Sequence, residues 1–147
     1  MIRLVEPEDY GTWLEMAREV EDLFGPMADV REFREGIRQC IDSGCAYCMT
    51  DDRGDVMGIL ALDKENNEIA WLAVRKEFRG NRVGEKLVRK AVEEMAGKGD
   101  IFVQTFAPVL EAGKPARHIY EKCGFADLKE AGKNPAGLDT VIMVRKP

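Results

Sequence analysis

Apolar residues recur at the helical period of about 3.6 in three stretches of the chain. The first stretch follows the sequence PEDY and ends at Gly25, the second runs from about Asp29 to Ser43, and the third runs from Val83 to near Gly97. Each stripe predicts an amphipathic helix whose apolar face packs against the rest of the protein. The stripes consist of Trp13, Met16, Ala17, Val20, Leu23 and Phe24 in the first stretch, Val30, Phe33, Ile37, Cys40 and Ile41 in the second, and Val83, Leu87, Val88, Ala91, Val92 and Met95 in the third.

Segments typical of β-strands separate and follow these helices. Glu68 to Val74 is almost continuously apolar, which indicates a strand covered on both faces at the centre of a sheet. Pro115 and Gly124 mark the start and the end of a fourth, short helix. The other predicted strands are Ile2 to Val5, Ala46 to Thr50, Val56 to Leu62, Ile101 to Phe106, Phe125 to Glu130 and Thr140 to Arg145.

The order of these elements predicts a mixed α/β fold. Helices and strands alternate in the middle of the chain while hairpins flank them, so the sheet is expected to be partly antiparallel and partly parallel. The link AGKNPAGLD between the last two strands is polar, and we expect it to be mobile.

The composition is that of one globular domain spanning residues 1–147, with 45% hydrophobic and 33% charged residues. The longest uninterrupted apolar run, IAWLAV, has six residues, whereas a membrane-spanning helix needs about 20. We therefore expect a cytoplasmic protein without a membrane segment, as a monomer or a homodimer.

Positive charge is concentrated in one place although the chain as a whole is acidic, with a formal net charge of −5. Between Arg75 and Lys90 there are seven basic and two acidic residues, a local charge of +5. A protein that binds nucleic acid over a large surface is basic overall, so no nucleic-acid partner is expected. The pattern favours a focused site for a small polyanion on an acidic body.

The basic segment lies where a predicted strand turns into a helix, an arrangement that exposes free backbone N–H groups to an anion. Gly80 and Gly84 allow the backbone to approach a ligand closely, and Arg79 and Arg82 can add charge-assisted bonds to phosphate. The alternative is a solvated basic helix start with glycines for turning. The Gly-Lys-Ser/Thr of a P-loop and the G-x-G-x-x-G of a dinucleotide fold are both missing, which argues against a nucleoside triphosphate or NAD site.

The four cysteines raise the possibility of a metal or redox site, because Cys40, Cys45 and Cys48 follow the spacing C-x4-C-x2-C, with Cys123 as a distant fourth. However, Cys40 continues a helical apolar stripe and Cys48 lies in a predicted strand. The favoured interpretation is therefore ordinary free thiols and no metal.

Two motifs resemble one known family. The stretch LAVRKEFRGNRVGEKL, residues 72–87, is similar to the acetyl-CoA motif Gln/Arg-x-x-Gly-x-Gly/Ala of the GNAT N-acetyltransferase superfamily, with Arg79 and Gly84 matching and Arg82 in place of the first glycine. The stretch ARHIYEKCGF, residues 116–125, resembles the later family helix, although Ala112 stands where an asparagine is common. The resemblance implies a mostly antiparallel sheet of six to seven strands flanked by about four helices.

The resemblance also implies an activity and its residues. The reaction would transfer an acetyl group from acetyl-CoA to an amine, with the Tyr120 phenol as general acid. For the general base we single out Glu68, whose carboxylate needs a raised pKa to be effective. The residues implied to bind acetyl-CoA are Leu72, Ala73 and Val74 through their main chain, and Arg79, Gly80, Asn81, Arg82, Val83 and Gly84 around the pyrophosphate.

The sequence alone also allows other interpretations of these residues and of the protein. Tyr120 can be a core tyrosine and Glu68 a solvated turn residue, and His118 and Cys123 are assigned structural roles. Because Arg82 and Ala112 depart from the family motifs, a CoA-binding regulatory module without catalysis remains an alternative. The amine acceptor, implied to contact residues 21–29 and 127–139, can be a small molecule, a peptide or a protein, and the acidic surface mildly favours a cation.

Overall fold

The computed structural model describes all 147 residues, which form one seven-stranded sheet and five helices. Three short 3₁₀ turns, at Pro7–Asp9, Lys76–Phe78 and Glu111–Gly113, precede helices or link them to strands. The strands are β1 (Ile2–Leu4), β2 (Ala46–Thr50), β3 (Val56–Asp63), β4 (Glu68–Val74), β5 (Ile101–Phe106), β6 (Ala126–Lys133) and β7 (Asp139–Arg145). The helices are α1 (Tyr10–Glu19), α2 (Glu21–Phe24), α3 (Arg31–Ser43), α4 (Val83–Met95) and α5 (Lys114–Lys122).

The sheet runs in the order β1-β2-β3-β4-β5-β7-β6, so the predicted central strand, β4, is the fourth of seven. All neighbouring strands are antiparallel except β4 and β5, whose parallel pairing requires the crossover through α4. The predicted mixed, mostly antiparallel sheet is therefore confirmed. The position of β7 between β5 and β6 is a feature that strand patterns do not reveal.

Helices cover both faces of the sheet and bury two separate apolar clusters. Helices α4 and α5 pack on one face, while α1 and α3 pack on the other. The strands supply both clusters by alternation: in β2, Tyr47 and Met49 join the α4 side, and Ala46 and Cys48 join the α1 side.

Two sequence expectations about local structure are wrong. The first helical stripe does not form one helix, because the chain leaves helical geometry at Val20 (φ −110°, ψ 11°) before the short α2 begins. The link between the last strands is an ordered turn: the Asn134 side chain accepts hydrogen bonds from the backbone N–H groups of Ala136 and Leu138, at 2.9 and 3.1 Å.

The burial of β4 also differs from expectation. Ile69 is buried, but Ala70 is exposed and Leu72 and Val74 are half-buried. The apolar side chains that predicted a fully covered strand instead border an open cleft. No helix in the structure combines the length and the apolar character that crossing a bilayer requires.

Candidate active site

The central sheet splits between β4 and β5. The two strands pair only at Glu68 with Phe102 and at Ile69 with Val103. At Ala70 the register of β4 against β3 shifts by one residue, a β-bulge that bends the strand. Beyond this point β4 continues beside β3 alone, and a gap opens where β5 would otherwise be.

The gap leaves one edge of β4 with unpaired main-chain groups. The Arg75 N–H donates to the Met57 carbonyl at 2.9 Å and therefore points towards β3. The main-chain groups of Ala73, two residues earlier, point the same way. Because successive residues of a strand point their N–H and C=O groups to opposite sides, those of Leu72 and Val74 face the gap. This edge can accept an extended ligand as a substitute strand.

A cavity of about 410 Å³, the donor cavity, lies along this edge and reaches the start of α4. It brings together eight of the nine residues predicted to bind acetyl-CoA. Asn81 does not line it and instead donates from Nδ2 to the Phe78 carbonyl at 3.1 Å. The lining residues are Leu72, Ala73, Val74, Arg79, Gly80, Arg82, Val83 and Gly84 from the prediction, together with Val20, Leu23, Phe24, Phe78, Glu85, Phe106, Ala112, Pro115, Ala116 and Ile119.

The turn before α4 contains two residues in the left-handed backbone conformation, and one of them is not a glycine. Gly80 has a φ of +87°, and Arg82 also adopts the left-handed conformation, at φ 60° and ψ 20°. Arg82 thus adopts a conformation that glycine takes without strain, at a cost of about 1–2 kcal/mol for an L-residue.

At Gly84 the structure shows a close contact between two helices, whereas the sequence predicted a close approach of the backbone to a ligand. A Cβ at this position would lie 2.9 Å from the Ile119 side chain of α5. A glycine there lets α5 pack closely on α4, and a larger residue would have to displace the end of the Ile119 side chain.

The positive charge at the turn is more focused than the sequence count suggests. Arg75 lies within 3.3 to 3.7 Å of three glutamates, and Arg89 and Lys90 have acidic neighbours on α4. The basic residues of this segment without an ion pair are Lys76, Arg79, Arg82 and Lys86. All four are exposed and lie at the turn or in the first turns of α4, which suits an anionic ligand.

A second cavity, of about 240 Å³, lies deeper in the split, and both predicted catalytic residues line it. We call it the reaction cavity. It shares four apolar residues with the donor cavity, so the two adjoin. Glu68 is the only charged side chain in its lining. The shared residues are Phe24, Leu72, Phe106 and Ala116.

Tyr120 is buried in the wall of the reaction cavity, with 4% of its surface exposed. Its ring packs edge to face on Phe125, with 5.7 Å between the centroids. Burial raises the pKa of its hydroxyl, and the nearby Cys123 adds to the shift. The phenol therefore stays protonated at neutral pH and retains a proton to donate.

Glu68 begins β4, is half-buried and lines the same cavity. Burial raises the pKa of its carboxyl, and the negative charge of Asp63 raises it further. No cation compensates for this charge, and a raised pKa makes the carboxylate a better proton acceptor at neutral pH.

The reaction cavity also adjoins a groove of about 630 Å³ between α3 and the β3–β4 turn. Ala70 and Trp71 line both, at the position of the bulge. Glu32, Asp63 and Glu65 line the groove against one basic residue, Lys64. The groove opens near the α1 and α3 face of the sheet, and we call it the acceptor groove after the role that we propose for it.

No role was predicted for Asn134 from the sequence, yet its side chain joins two distant parts of the site. Its Nδ2 donates to the Leu23 carbonyl of α2 at 2.7 Å, and Asn134 lines the reaction cavity. Beside it, a Cβ on Gly25 would lie 2.6 Å from the Pro135 side chain. The Asn-Pro dipeptide signals a turn, but only the fold brings that turn to α2.

The remaining candidates lie outside this arrangement. His118 is exposed on α5. Cys123 is buried, and burial raises the pKa of its thiol. Cys40 and Cys45 are half-buried and Cys48 is buried, and no group of three or more His, Cys, Asp or Glu side chains is close enough together to hold a metal ion.

Comparison with known proteins identifies the family of this chain. The model of the acetyltransferase (GNAT) family matches residues 11–125. The chain belongs to the GNAT acetyltransferase family. No curated protein matches the sequence.

Solved structures share the fold of this GNAT acetyltransferase over nearly its whole length. A ribosomal-protein-alanine N-acetyltransferase from Brucella melitensis superposes with a TM-score of 0.76 at 16% identity, covering 100% of this chain and 99% of that one. A spermidine N-acetyltransferase mutant from Vibrio cholerae has a TM-score of 0.72 at 15% identity, covering 99% and 94%. A chain of the NatC complex bound to Gag peptide and CoA has a TM-score of 0.76 at 18% identity, covering 100% and 98%.

Family membership identifies the acyl donor class, because GNAT acetyltransferases use acetyl-CoA. The donor cavity fits this molecule in three respects. It offers unpaired main-chain groups on β4, free N–H groups at the start of α4, and unpaired arginines beside them.

Proposed function

We propose that this GNAT acetyltransferase transfers an acetyl group to a positively charged primary amine by direct attack, with Tyr120 as general acid and Glu68 as general base. The observation that carries the proposal is the reaction cavity, in which a protonated phenol and a carboxylate of raised pKa line one space. That space adjoins the donor cavity on one side and the acceptor groove on the other.

The main chain of β4 at Leu72 and Val74 would hold the pantetheine arm of acetyl-CoA, and the turn from Arg79 to Gly84 would hold the pyrophosphate. Free N–H groups and unpaired guanidinium groups suit phosphate oxygens, whereas the apolar walls shared by the two cavities suit the thioester end. Acetyl-CoA supplies the thioester carbonyl that the amine nitrogen attacks.

The two titratable residues divide the proton transfers between them. The Glu68 carboxylate first accepts, directly or through water, the proton that the ammonium group must lose before its nitrogen can attack, and passes this proton to solvent. As the carbon–nitrogen bond forms, the nitrogen loses its second proton by the same route. As the carbon–sulfur bond breaks, the Tyr120 hydroxyl donates its proton to the departing sulfur. Proton exchange with solvent restores both groups, so the products are the acetamide and the free thiol, and no further reactant is needed.

Charge favours a cationic acceptor. Glu68 is the only charged group lining the reaction cavity, and the groove beside it carries three acids and one lysine. Among structures of the same fold are enzymes named for spermidine and for ribosomal-protein alanine, both of them amine acceptors. An ammonium group would offset the desolvated Glu68 charge before it gives up its proton.

Thermal unfolding with acetyl-CoA, CoA, ATP and NAD tests the donor site first. Ligand at about 100 times its Kd contributes about 2.7 kcal/mol, which should raise Tm by about 6–10 °C for a domain of this size. We expect the shift with acetyl-CoA and CoA only. Equal shifts with ATP, or none with any ligand, would contradict the donor assignment.

Release of free CoA thiol in the presence of amines then tests catalysis. Spermidine, a peptide with N-terminal alanine and a lysine peptide should be compared with propylamine and with the acidic amine glutamate. We expect turnover with cationic amines to exceed that with glutamate. Binding of acetyl-CoA without turnover of any amine would favour the non-catalytic CoA-binding module.

A further inference from the structure

One acidic side chain lies where the proposed phosphate site needs positive charge. Glu85 is the third residue of α4, and it is the only acid in the lining of the donor cavity. Arg79 and Arg82 line the same cavity. The side chain of Glu85 is only 16% exposed, so its charge is not simply turned into solvent.

A glutamate at this helical position has a strong local alternative. In a capping box, the third residue folds back and accepts a hydrogen bond from the N–H of the N-cap residue, which here is Arg82. The positive end of the helix dipole favours the same movement. A carboxylate in that position would occupy a donor that phosphate could use and would repel the phosphate itself.

The structure holds the carboxylate in another direction. Lys122 Nζ lies 2.9 Å from Glu85 Oε1, and Arg89 Nη2 lies 3.2 Å from Glu85 Oε2. Each oxygen therefore has its own cationic partner. The two partners also lower the pKa of the Glu85 carboxyl, with the Lys122 contribution larger than that of Arg89.

The packing of the two helices explains how Lys122 reaches this position. Gly84 allows α5 to approach α4 closely, with Ile119 against the space where a Cβ would be. Lys122 follows Ile119 by three residues and so lies on the same face of α5. The contact between the helices therefore places the lysine beside Glu85.

We propose that Lys122 is a positioning residue for the acyl donor: it holds the Glu85 carboxylate against α5 and away from the N–H groups that receive the pyrophosphate. This inference rests on the proposed assignment of the donor cavity to acetyl-CoA. Arg89 assists from the next turn of α4 but shares its helix with Glu85, so Lys122 is the partner that ties the carboxylate to a second element.

A double-mutant cycle separates this role from a direct contact between Lys122 and phosphate. The variants are Lys122→Met, Glu85→Gln and the double variant, and the readout is the Kd for CoA at low salt. We expect Lys122→Met to weaken binding about five- to tenfold. Glu85→Gln should change binding less than about twofold in the parent protein but restore most of the loss in the Lys122→Met background.

Two further readouts exclude a merely structural effect. The Kd for acetyl-pantetheine, which lacks the pyrophosphate, should be unchanged by Lys122→Met, and the loss for CoA should shrink at 0.5 M salt because screening shortens to a few ångströms. Lys133→Met is the matched control. It breaks an ion pair of the same length, 2.9 Å to Asp139, between β6 and β7, and because neither residue lines the donor cavity it should leave CoA binding unchanged.

The outcomes separate a failure of the Lys122 proposal from a failure of the donor-site assignment on which it rests. If the parent protein binds no CoA, the donor site itself is wrong. If the parent binds CoA and Glu85→Gln has the same effect with and without Lys122, the lysine acts on the ligand independently and the positioning role is overturned. An equal loss for acetyl-pantetheine would overturn it as well, because the effect would then not involve the phosphates.

Discussion

The two ends of β4 differ in what surrounds them. At its beginning, Glu68 and Ile69 pair with β5, and the adjoining cavity is small and lined mainly by apolar groups. At its end, Leu72 and Val74 have no partner strand on one side, and the nearby turn carries exposed, unpaired cations. One strand of seven residues thus borders both a small, mainly apolar space and an open, basic one.

The difference separates proton chemistry from binding. Burial at the closed end raises the pKa of both Glu68 and Tyr120, since desolvation penalises a carboxylate and a phenolate alike. The open end instead offers backbone donors and exposed, unpaired cations that suit a large polyanion. The β-bulge at Ala70 marks the boundary, because pairing with β5 stops there.

The largest predicted effect is at the closed end. Tyr120→Phe should lower kcat about 10²- to 10⁴-fold, the usual contribution of a general acid, and leave the Kd for acetyl-CoA within about twofold. Steady-state thiol release and thermal unfolding measure the two quantities. Tyr47→Phe is the matched control, because that hydroxyl donates to Glu94 outside the cavities. Unchanged turnover in Tyr120→Phe would remove Tyr120 from the mechanism.

Glu68→Gln should lower kcat/KM about 10²-fold and abolish the acidic limb of its pH profile. It should also raise Tm at neutral pH. The pKa of Glu68 in the fold lies above its ordinary value of 4.5, so the fold disfavours the ionised carboxylate.

The sign of the stability effect gives a second check on Glu68. The penalty is absent below pH 4.5 and appears as the pH rises through the raised pKa, so the Tm advantage of Glu68→Gln should vanish towards pH 4. Glu65→Gln, at the exposed turn, serves as the control with no Tm gain. A pH profile that keeps its acidic limb in Glu68→Gln would point to another base.

A smaller effect is expected at the open end, where proline distinguishes the two edges of β4. Val74→Pro removes an N–H that faces the gap and should weaken acetyl-CoA binding about five- to tenfold. Ala73→Pro removes an N–H from the ladder with β3 and should lower the free energy of unfolding by about 1–3 kcal/mol more. If Val74→Pro binds acetyl-CoA normally, the open edge does not hold the donor.

The smallest effects concern Arg82. Arg82→Gly relieves the left-handed backbone, partly offset by the flexibility of glycine in the unfolded chain, and should raise stability by about 0.5–1 kcal/mol. It should also weaken acetyl-CoA binding about threefold through loss of the guanidinium. Arg82→Lys keeps the charge and the strain, so we expect neither change. Tighter binding in Arg82→Gly would instead show that the motif's glycine is the better residue.

Periodicity was sufficient for most of the fold. The run from Glu68 to Val74 became a strand with the predicted bounds, and the helix predicted from Val83 to near Gly97 begins at Val83 and ends at Met95. In both, local apolar period and local geometry coincide. The break at Val20 was missed because an apolar stripe continues across it. The ordered turn at Asn134 was missed because its partner, the Leu23 carbonyl, is 111 residues away.

The residues of the site that lie in contiguous sequence motifs could be predicted from the sequence. Arg79, Arg82 and Gly84 occupy one turn, and Tyr120 belongs to a second motif, so their types and spacing were informative. Glu68 was selected as the first residue of the central strand. That it and Tyr120 share a cavity followed only from the structure.

The sequence by itself determined three of the five helices, most strand bounds to within a residue, the concentration of positive charge at one turn and the family. Each of these depends on residues close together in the chain, whose spacing fixes which face they share. Only the tertiary structure decided that β4 parts from β5 after Ile69, that α5 brings Lys122 to Glu85, and that Asn134 reaches α2. Burial and pKa followed from these long-range contacts, because desolvation depends on what the rest of the chain places around a group.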